Sequence, residues 1–506
     1  MESRYFMGID VGTNETKGVL IDSLCDIVAY SAKKHEVENP QPNFFEQDAE
    51  KIWWGDVCCV SKALIRESGV NPSQIICVGV SALGCDCLPV DENCTPLCKA
   101  ILYGIDSRSY QEIEYLNRYY GEETAQKLYG HPLCSSDIAP KILWIKNHLP
   151  DVYSHTCKFL TASSYITAKL TGHYCIDKYL AEDFAPLYDL KTDTVDEEKC
   201  SLYCSPSQLV DIMRATEVAG TVTASASAET GLNENTKVLV GTGDSGAEAI
   251  STGIFEPGDI MIQLGSSCYF IYLADRLIQD ARVWPGTFII PDTYSVCAGT
   301  NTAGTLTKWF RDELYFDMVA IQENGGENAF SAMAKSIETI PAGCDGLITL
   351  PYFAGERTPI NDPFAKGVFF GLKLGHTREH LYKSALEGIG YSIAQHFDIL
   401  EENHLPVKKI MAVGGGTQNM PWLHIIADIL GRTVYTARIS FGASYGDAIM
   451  AALAGGAYHS WSEMENAVQP QLVIKPNMEN YAIYQKNRKI FDELYQTTKK
   501  MMHSLS

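Results

Sequence analysis

The chain opens on apolar runs that are short and bounded by glycine and polar residues. Residues 5–11 read YFMGIDV, and Val19-Leu20-Ile21 follows after one polar turn. Runs of this length with turn residues at both ends predict strands, so we expect strands over 5–11, 17–22 and 27–33. The spacing then lengthens. Over 48–68, Ile52, Val60, Ala63 and Leu64 fall on one helical face behind Asp48, a good N-cap, and a helix is expected. Residues 75–81 are apolar enough for a buried strand, as are 238–241. Residues 107–230 read as mostly helical, with breaks near Pro132, Pro150 and Pro206.

The pattern then restarts. Strands are expected over 259–264, 268–273 and 294–298, and helices over 302–313 and 328–337. A long helix over 377–403 has Thr377 as its N-cap and Leu381, Ala385, Ile389, Ile393 and Phe397 on one face. A strand over 410–413 runs into Gly414-Gly415-Gly416, and a helix over 421–431 carries proline in its first turn. Two halves in the same order predict an internal duplication. Glu256-Pro257-Gly258 is turn chemistry, so the boundary falls within 247–256 and the expected domains are 1–247 and 248–506.

Composition narrows the class. A chain of 506 residues exceeds one ordinary core, and 46% hydrophobic with 20% charged residues is globular usage. The net charge is −22, and no Lys/Arg-rich run reads as a nucleic-acid patch. No apolar stretch is long enough to span a bilayer, and the N-terminus lacks a signal-peptide pattern, so a cytoplasmic location is expected. The 16 cysteines are then reduced thiols. Cys85, Cys87, Cys94 and Cys98 cluster, but their spacing matches no common zinc pattern, and ordinary thiols are expected.

Two turns carry candidate chemistry. Asp10-Val11-Gly12-Thr13-Asn14-Glu15-Thr16-Lys17 and Leu264-Gly265-Ser266-Ser267 each reverse one apolar run into another. Glycine lets backbone N–H groups approach an anion, and Thr or Ser adds a hydroxyl donor. Two such hairpins, each opening its own half, point to a clamp on a polyphosphate and so to ATP. Gly241-Thr242-Gly243-Asp244 places a carboxylate at a strand-to-helix turn, where it is either a proton acceptor or a helix cap. Asp10 is placed to organise Mg2+ beside phosphates, or belongs to the turn alone. The triple glycine would let a flat ring lie against backbone. LPYFAGERTPINDP, residues 350–363, reads from composition as an ordered interdomain loop.

That last segment, followed by Gly367-Val368-Phe369-Phe370-Gly371-Leu372 and Ala385-Leu386-Glu387, closely resembles the C-terminal signature of the FGGY carbohydrate kinases. Lys141-Ile142-Leu143-Trp144 is similar to their N-terminal signature, and the resemblance runs in order along nearly the whole chain, most like the xylulokinase branch. It implies an α/β fold of two ribonuclease H-like domains of the actin/hexokinase type, with an active-site cleft between them. By the same resemblance Asp244 is the catalytic base and Asp10 the carboxylate beside Mg2+. Thr13, Asn14 and Lys17 match the first phosphate loop, and Gly265 and Ser266 the second. Gly304, Lys308, Gly415 and Asn419 match the adenosine site. Asp106 and Arg108 match the Trp-x-Asp-x-Arg segment near the sugar, with Tyr103 for the tryptophan. Gly84 and Cys85 replace a Met-His pair, and Asp86 follows, so Cys85 and Asp86 are expected to face the substrate.

The implied activity is ATP-dependent phosphorylation of a small sugar, a ketopentose such as D-xylulose. The alternatives are glycerol, ribulose, fuculose, gluconate or a related polyol, ketose or sugar acid, a silent sugar-binding regulator, or a non-catalytic actin-like or chaperone-like nucleotide-binding protein. The carboxylate of Asp86 favours a neutral substrate over an aldonate. The implied partners are the sugar and ATP with Mg2+, not nucleic acid or membrane, and a homodimer is allowed.

Overall fold

The computed structural model describes residues 3–121, 123–125, 133–438 and 441–505. They divide into two compact units, Met1–Phe255 with Gly286–Thr293 and Phe441–Val468, and Glu256–Pro285 with Tyr294–Ser440 and Gln469–Ser506. The sequence reading has one crossing near residue 247, whereas here the chain returns to the first unit twice.

In the first unit, β1 (Tyr5–Val11), β2 (Glu15–Asp22) and β3 (Ile27–Lys34) form an antiparallel meander. β4 (Ile75–Ala82) lies parallel to β1, and β5 (Val218–Thr221) and β6 (Lys237–Leu239) complete the order β3-β2-β1-β4-β6-β5. Side chains alternate across β1. Met7, Ile9 and Val11 join the core that takes Val57, Val60 and Leu64 of α1 (Gly55–Ser68). On the other face lies the helix Ala443–Ala454. A Cβ on Gly8 would stand 2.0 Å from the Ser444 carbonyl oxygen, and one on Gly79 2.4 Å from that of Asp447. Glycine at these two positions lets helix backbone lie directly on the sheet.

The second unit repeats the design. β7 (Asp259–Leu264), β8 (Cys268–Ala274) and β9 (Tyr294–Thr300) form the meander, and β10 (Lys409–Val413), β11 (Val434–Ala437) and β12 (Pro470–Ile474) extend it as β9-β8-β7-β10-β11-β12. Here too the first strand of the meander pairs in parallel with the fourth strand of the set. Thr377 precedes a long helix, Arg378–Glu402, and its N–H donates to His380 Nδ1 at 3.2 Å. Ala385, Ile389 and Ile393 of that helix are buried, with Leu381 and Phe397 packed at the margin of the same core.

Three local expectations differ from the structure. The helix expected over 48–68 starts with a wider π-type turn, Ala49–Trp54, which buries two consecutive tryptophans, Trp53 and Trp54, before α1 begins. Residues 107–230 carry their longer helices as far as Thr171; beyond it, short helices such as Ala224–Thr230 alternate with short strands such as Cys175–Asp177, which pairs in parallel with Asp211–Met213. That pairing spans more than thirty residues, and no local period reveals it. The breaks expected near Pro150 and Pro206 are present, each proline opening the helical turn that follows the break, and Pro132 lies outside the described residues. The loop read as interdomain is tied within the second unit. Gly299 N–H donates to Thr358 Oγ1 at 2.7 Å, Asn301 N–H to Glu356 Oε1 at 2.6 Å, and Tyr495 OH to Asp362 Oδ2 at 2.8 Å. Among the described residues, no helix is long and apolar enough to cross a membrane.

Candidate active site

The hairpin between β1 and β2 closes with Gly12 N–H donating to the Glu15 carbonyl at 3.1 Å. Its underside is charged. His35 bridges the Gly12 carbonyl, at 3.0 Å, to Asp56 Oδ2, at 2.8 Å, and Lys33 pairs with Asp56 at 2.6 Å. Thr13 Oγ1 donates to Tyr103 OH at 3.1 Å, and Gln47 Nε2 to the Thr13 carbonyl at 2.9 Å. The turn is thus braced by side chains from below, while Asn14 is exposed at its tip and Lys17 is half-exposed.

Strand register brings the acidic residues together. Asp10 pairs across the hairpin with Lys17 and lies beside Ser81 of β4, and Thr242 lies on the other side of Ser81. Burial pushes the Asp10 carboxyl up to about 8, and the charges of Asp244 and Glu248 add to this while Lys17 opposes it. Asp244 is the first residue of α2 (Asp244–Ser251), whose N-cap is Gly243. Its Oδ1 accepts the Ser245 N–H at 2.6 Å, and burial, reinforced by Glu248, pushes its carboxyl up to about 6. Gly243 rather than Asp244 is thus the N-cap residue, while the Asp244 carboxylate bonds an N–H of the first turn. A carboxyl near 6 is ionised at neutral pH and basic enough to take a proton.

The residues expected near the sugar divide sharply. Arg108 holds Asp106 through Nε at 2.9 Å and Nη2 at 2.7 Å, and reaches Glu46 through Nη1 at 2.9 Å. Its guanidinium lies 4.1 Å from the Phe44 ring centre. Cys85 has a φ of +61°, and its carbonyl accepts Lys141 Nζ at 2.7 Å. Asp86 corrects the sequence reading. It is fully buried, and both oxygens accept the Ala162 N–H, at 3.1 and 3.2 Å, at the start of the helix Ala162–Thr171. It anchors that helix instead of facing a substrate.

Sequence reasoning missed other residues here. Lys141 is completely buried, with Nζ also donating to the Ser135 carbonyl at 2.8 Å. A lysine inside the apolar run IAPKILWI was a visible signal of such a role. Asp183 was not visible. Its carboxyl, bonded by the Cys85 thiol, is pushed by burial to about 7.

In the second unit the β7–β8 turn closes with Gly265 N–H donating to the Ser267 carbonyl at 3.0 Å. The carbonyls of Gly265 and Ser266 accept N–H groups of Ala303, Gly304 and Thr305 at 2.9 to 3.0 Å, where the helix Gly304–Leu314 begins. Gly304 is needed for that approach, since its Cβ would stand 2.5 Å from the Gly265 oxygen. Asn419 caps the helix Met420–Leu430 by accepting the Trp422 N–H at 3.1 Å. Lys308 pairs with Asp312 at 2.5 Å on the surface. Gly415 differs from these. It is exposed, and a Cβ there would meet nothing within 4 Å. It leaves room for a flat group against backbone.

These residues fit ATP with Mg2+. Asp10 and Asp244 repel each other, and a divalent cation beside Asp10 would relieve that repulsion. Among the described residues, no group of three or more His, Cys, Asp or Glu could hold a metal alone. Mg2+ needs only one or two carboxylates, with water and phosphate oxygens completing its shell.

Residues 5–251 match the N-terminal domain, and residues 260–455 the C-terminal domain, of the FGGY family of carbohydrate kinases. The chain is 26% identical over 495 residues to a xylulose kinase of Staphylococcus xylosus, covering 97% of this chain and 99% of that one. It is equally 26% identical over 493 residues to a gluconokinase of Bacillus licheniformis, covering 97% and 95%. The solved xylulose kinase from Rhodospirillum rubrum superposes with a TM-score of 0.89 at 28% identity, covering 99% of this chain and 100% of that one.

Proposed function

This chain belongs to the FGGY family of carbohydrate kinases, and we propose that it phosphorylates a neutral ketose at the expense of ATP, with D-xylulose as the first candidate. The observation that carries the reading is the carboxyl of Asp244, raised to about 6 at the start of α2 and electrostatically coupled to Asp10. Asp244 takes the proton of the attacking hydroxyl as that oxygen bonds to the γ-phosphorus. The bond to the bridging oxygen breaks, and ADP leaves. Lys17 and the N–H groups of the first hairpin stabilise charge on the phosphoryl oxygens. Asp10 is the residue to hold Mg2+, which when bound neutralises phosphate charge.

A neutral substrate is supported by how the nearby cations are used. Arg108 is matched by two carboxylates, Asp106 and Glu46, and the ammonium of Lys141 is committed to backbone carbonyls. Neither offers a charge to an aldonate carboxylate, and Asp183 would repel one. The nearness in sequence to a gluconokinase makes this a real choice. Pentuloses, polyols and aldonates assayed for ADP release decide it. D-Xylulose or another neutral ketose is expected to give the highest kcat/KM. Gluconate as the best substrate would overturn the neutral-substrate reading and leave the kinase assignment standing.

A further inference from the structure

Asp447 projects from the helix Ala443–Ala454, the element that Gly8 and Gly79 admit onto the first sheet. Its side chain is completely buried, yet Oδ1 has no hydrogen-bond partner. Its other oxygen, Oδ2, lies 2.6 Å from Ser81 Oγ, and Ser81 Oγ lies 3.4 Å from Asp10 Oδ1. Ser81 therefore stands between two carboxyl groups with a single proton to give.

The balance of hydrogens settles the direction. If Ser81 donated to Asp447, Asp10 would lose that donor, and a second buried carboxylate would face Asp10 and Asp244. A buried carboxyl with one unpartnered oxygen and two acidic neighbours favours its acid form. As an acid, Asp447 donates from Oδ2 to Ser81 Oγ, and the Ser81 hydroxyl is released to donate to Asp10. We propose that Asp447 is a positioning residue that acts through Ser81 to orient Asp10 toward the cation. This rests on the kinase reading above, in which Asp10 holds the metal.

The relay needs a hydrogen-bond donor at position 447, not a charge. Asparagine supplies one in nearly the same shape, and alanine does not. The test compares wild type with Asp447→Asn, Asp447→Ala and Ser81→Ala. Mn2+ affinity in the presence of ADP, read by electron paramagnetic resonance, reports on the cation site without any sugar. The Mg2+ dependence of sugar phosphorylation is measured in parallel.

Asp447→Ala and Ser81→Ala are expected to weaken Mn2+ binding about tenfold and to raise the Mg2+ requirement, with sugar KM within twofold of wild type. Asp447→Asn is expected to stay within threefold of wild type in both assays. Ser81→Ala removes only one oxygen, so it decides the matter if Asp447→Ala fails to fold. Unchanged Mn2+ affinity in Ser81→Ala would overturn the proposal, as would an Asp447→Asn as impaired as Asp447→Ala. A wild type that binds Mn2+ with ADP but phosphorylates no sugar would instead count against the kinase reading and leave the relay intact.

Discussion

The two glycine hairpins solve one backbone problem with different chemistry. Each joins the first two strands of a meander, and each first strand pairs in parallel with the fourth. Counted back from the last paired residues, Val11–Thr16 in one and Leu264–Cys268 in the other, Asp10 corresponds to Gln263 and Lys17 to Tyr269. The first hairpin thus carries a carboxylate and an ammonium and rests on the His35–Asp56–Lys33 network. The second carries neither charge, and its tip carbonyls are occupied in capping the helix Gly304–Leu314. The two hairpins share their place in the sheet, while of the two only the first carries ionisable chemistry.

Charge substitutions are the severest way to break this asymmetry. Asp244→Asn is expected to lower kcat by about 10² to 10⁴, the usual worth of a general base, while ATP affinity stays within threefold. Asp10→Asn should cost at least tenfold in rate and raise the Mg2+ requirement. Gln263→Ala, at the matching place in the second hairpin, should stay within about threefold of wild type by steady-state kinetics. Equal losses at Asp10 and Gln263 would show that both hairpins handle the phosphates alike.

Glycine substitutions on the second unit come next in size. A Cβ at Gly415 would meet nothing within 4 Å, so Gly415→Val, which adds two methyls beyond it, should leave the fold intact. KM for ATP is expected to rise about tenfold or more, with KM for the sugar unchanged. Gly414→Ala is the control. Gly414 has a φ of +87°, and its Cβ would stand 2.8 Å from the Leu264 carbonyl, so this change should lower Tm instead. Loss of sugar affinity in Gly415→Val would place the adenosine side in the wrong half.

The hairpins were legible in the sequence because everything that defines them is local. A polar glycine turn between two apolar runs needs no distant contact to be recognised. The helix capped by Thr377 was legible for the same reason. The failures all depend on distant partners. The apolar run over 443–454 announces burial, but nothing in it says which sheet it covers, and Asp447 was passed over with it. Asp86 was read as substrate-facing because it follows Gly84 and Cys85, which stand where the family has a Met-His pair, whereas its carboxylate accepts the N–H of Ala162, 76 residues away. The resemblance could not show that Gly304 and Asn419 also have packing and capping roles of their own.

The smallest expected effect tests the electrostatics of the first unit alone. Burial raises Asp10 and Asp244 from an ordinary 3.8 to about 8 and about 6, and the charge of Glu248 adds to both shifts. The base must be ionised to accept a proton, so kcat/KM should fall as pH drops through about 6. Glu248→Gln removes one negative neighbour and should move that limb down by a few tenths of a pH unit. The stability sign is fixed by the same groups. A carboxyl raised on folding contributes fully below its unfolded value, and that contribution is lost as pH rises through the folded value. Without nucleotide or metal, the protein should therefore melt higher near pH 5 than near pH 8, by calorimetry. Glu248→Gln should narrow that difference but not abolish it, because burial of Glu356 and Glu387 in the second unit, both raised to about 7, acts with the same sign. A limb that moves up, or a difference that widens, would show that Glu248 stabilises the ionised forms, and the charge concentration assigned to the first hairpin would have to be redrawn.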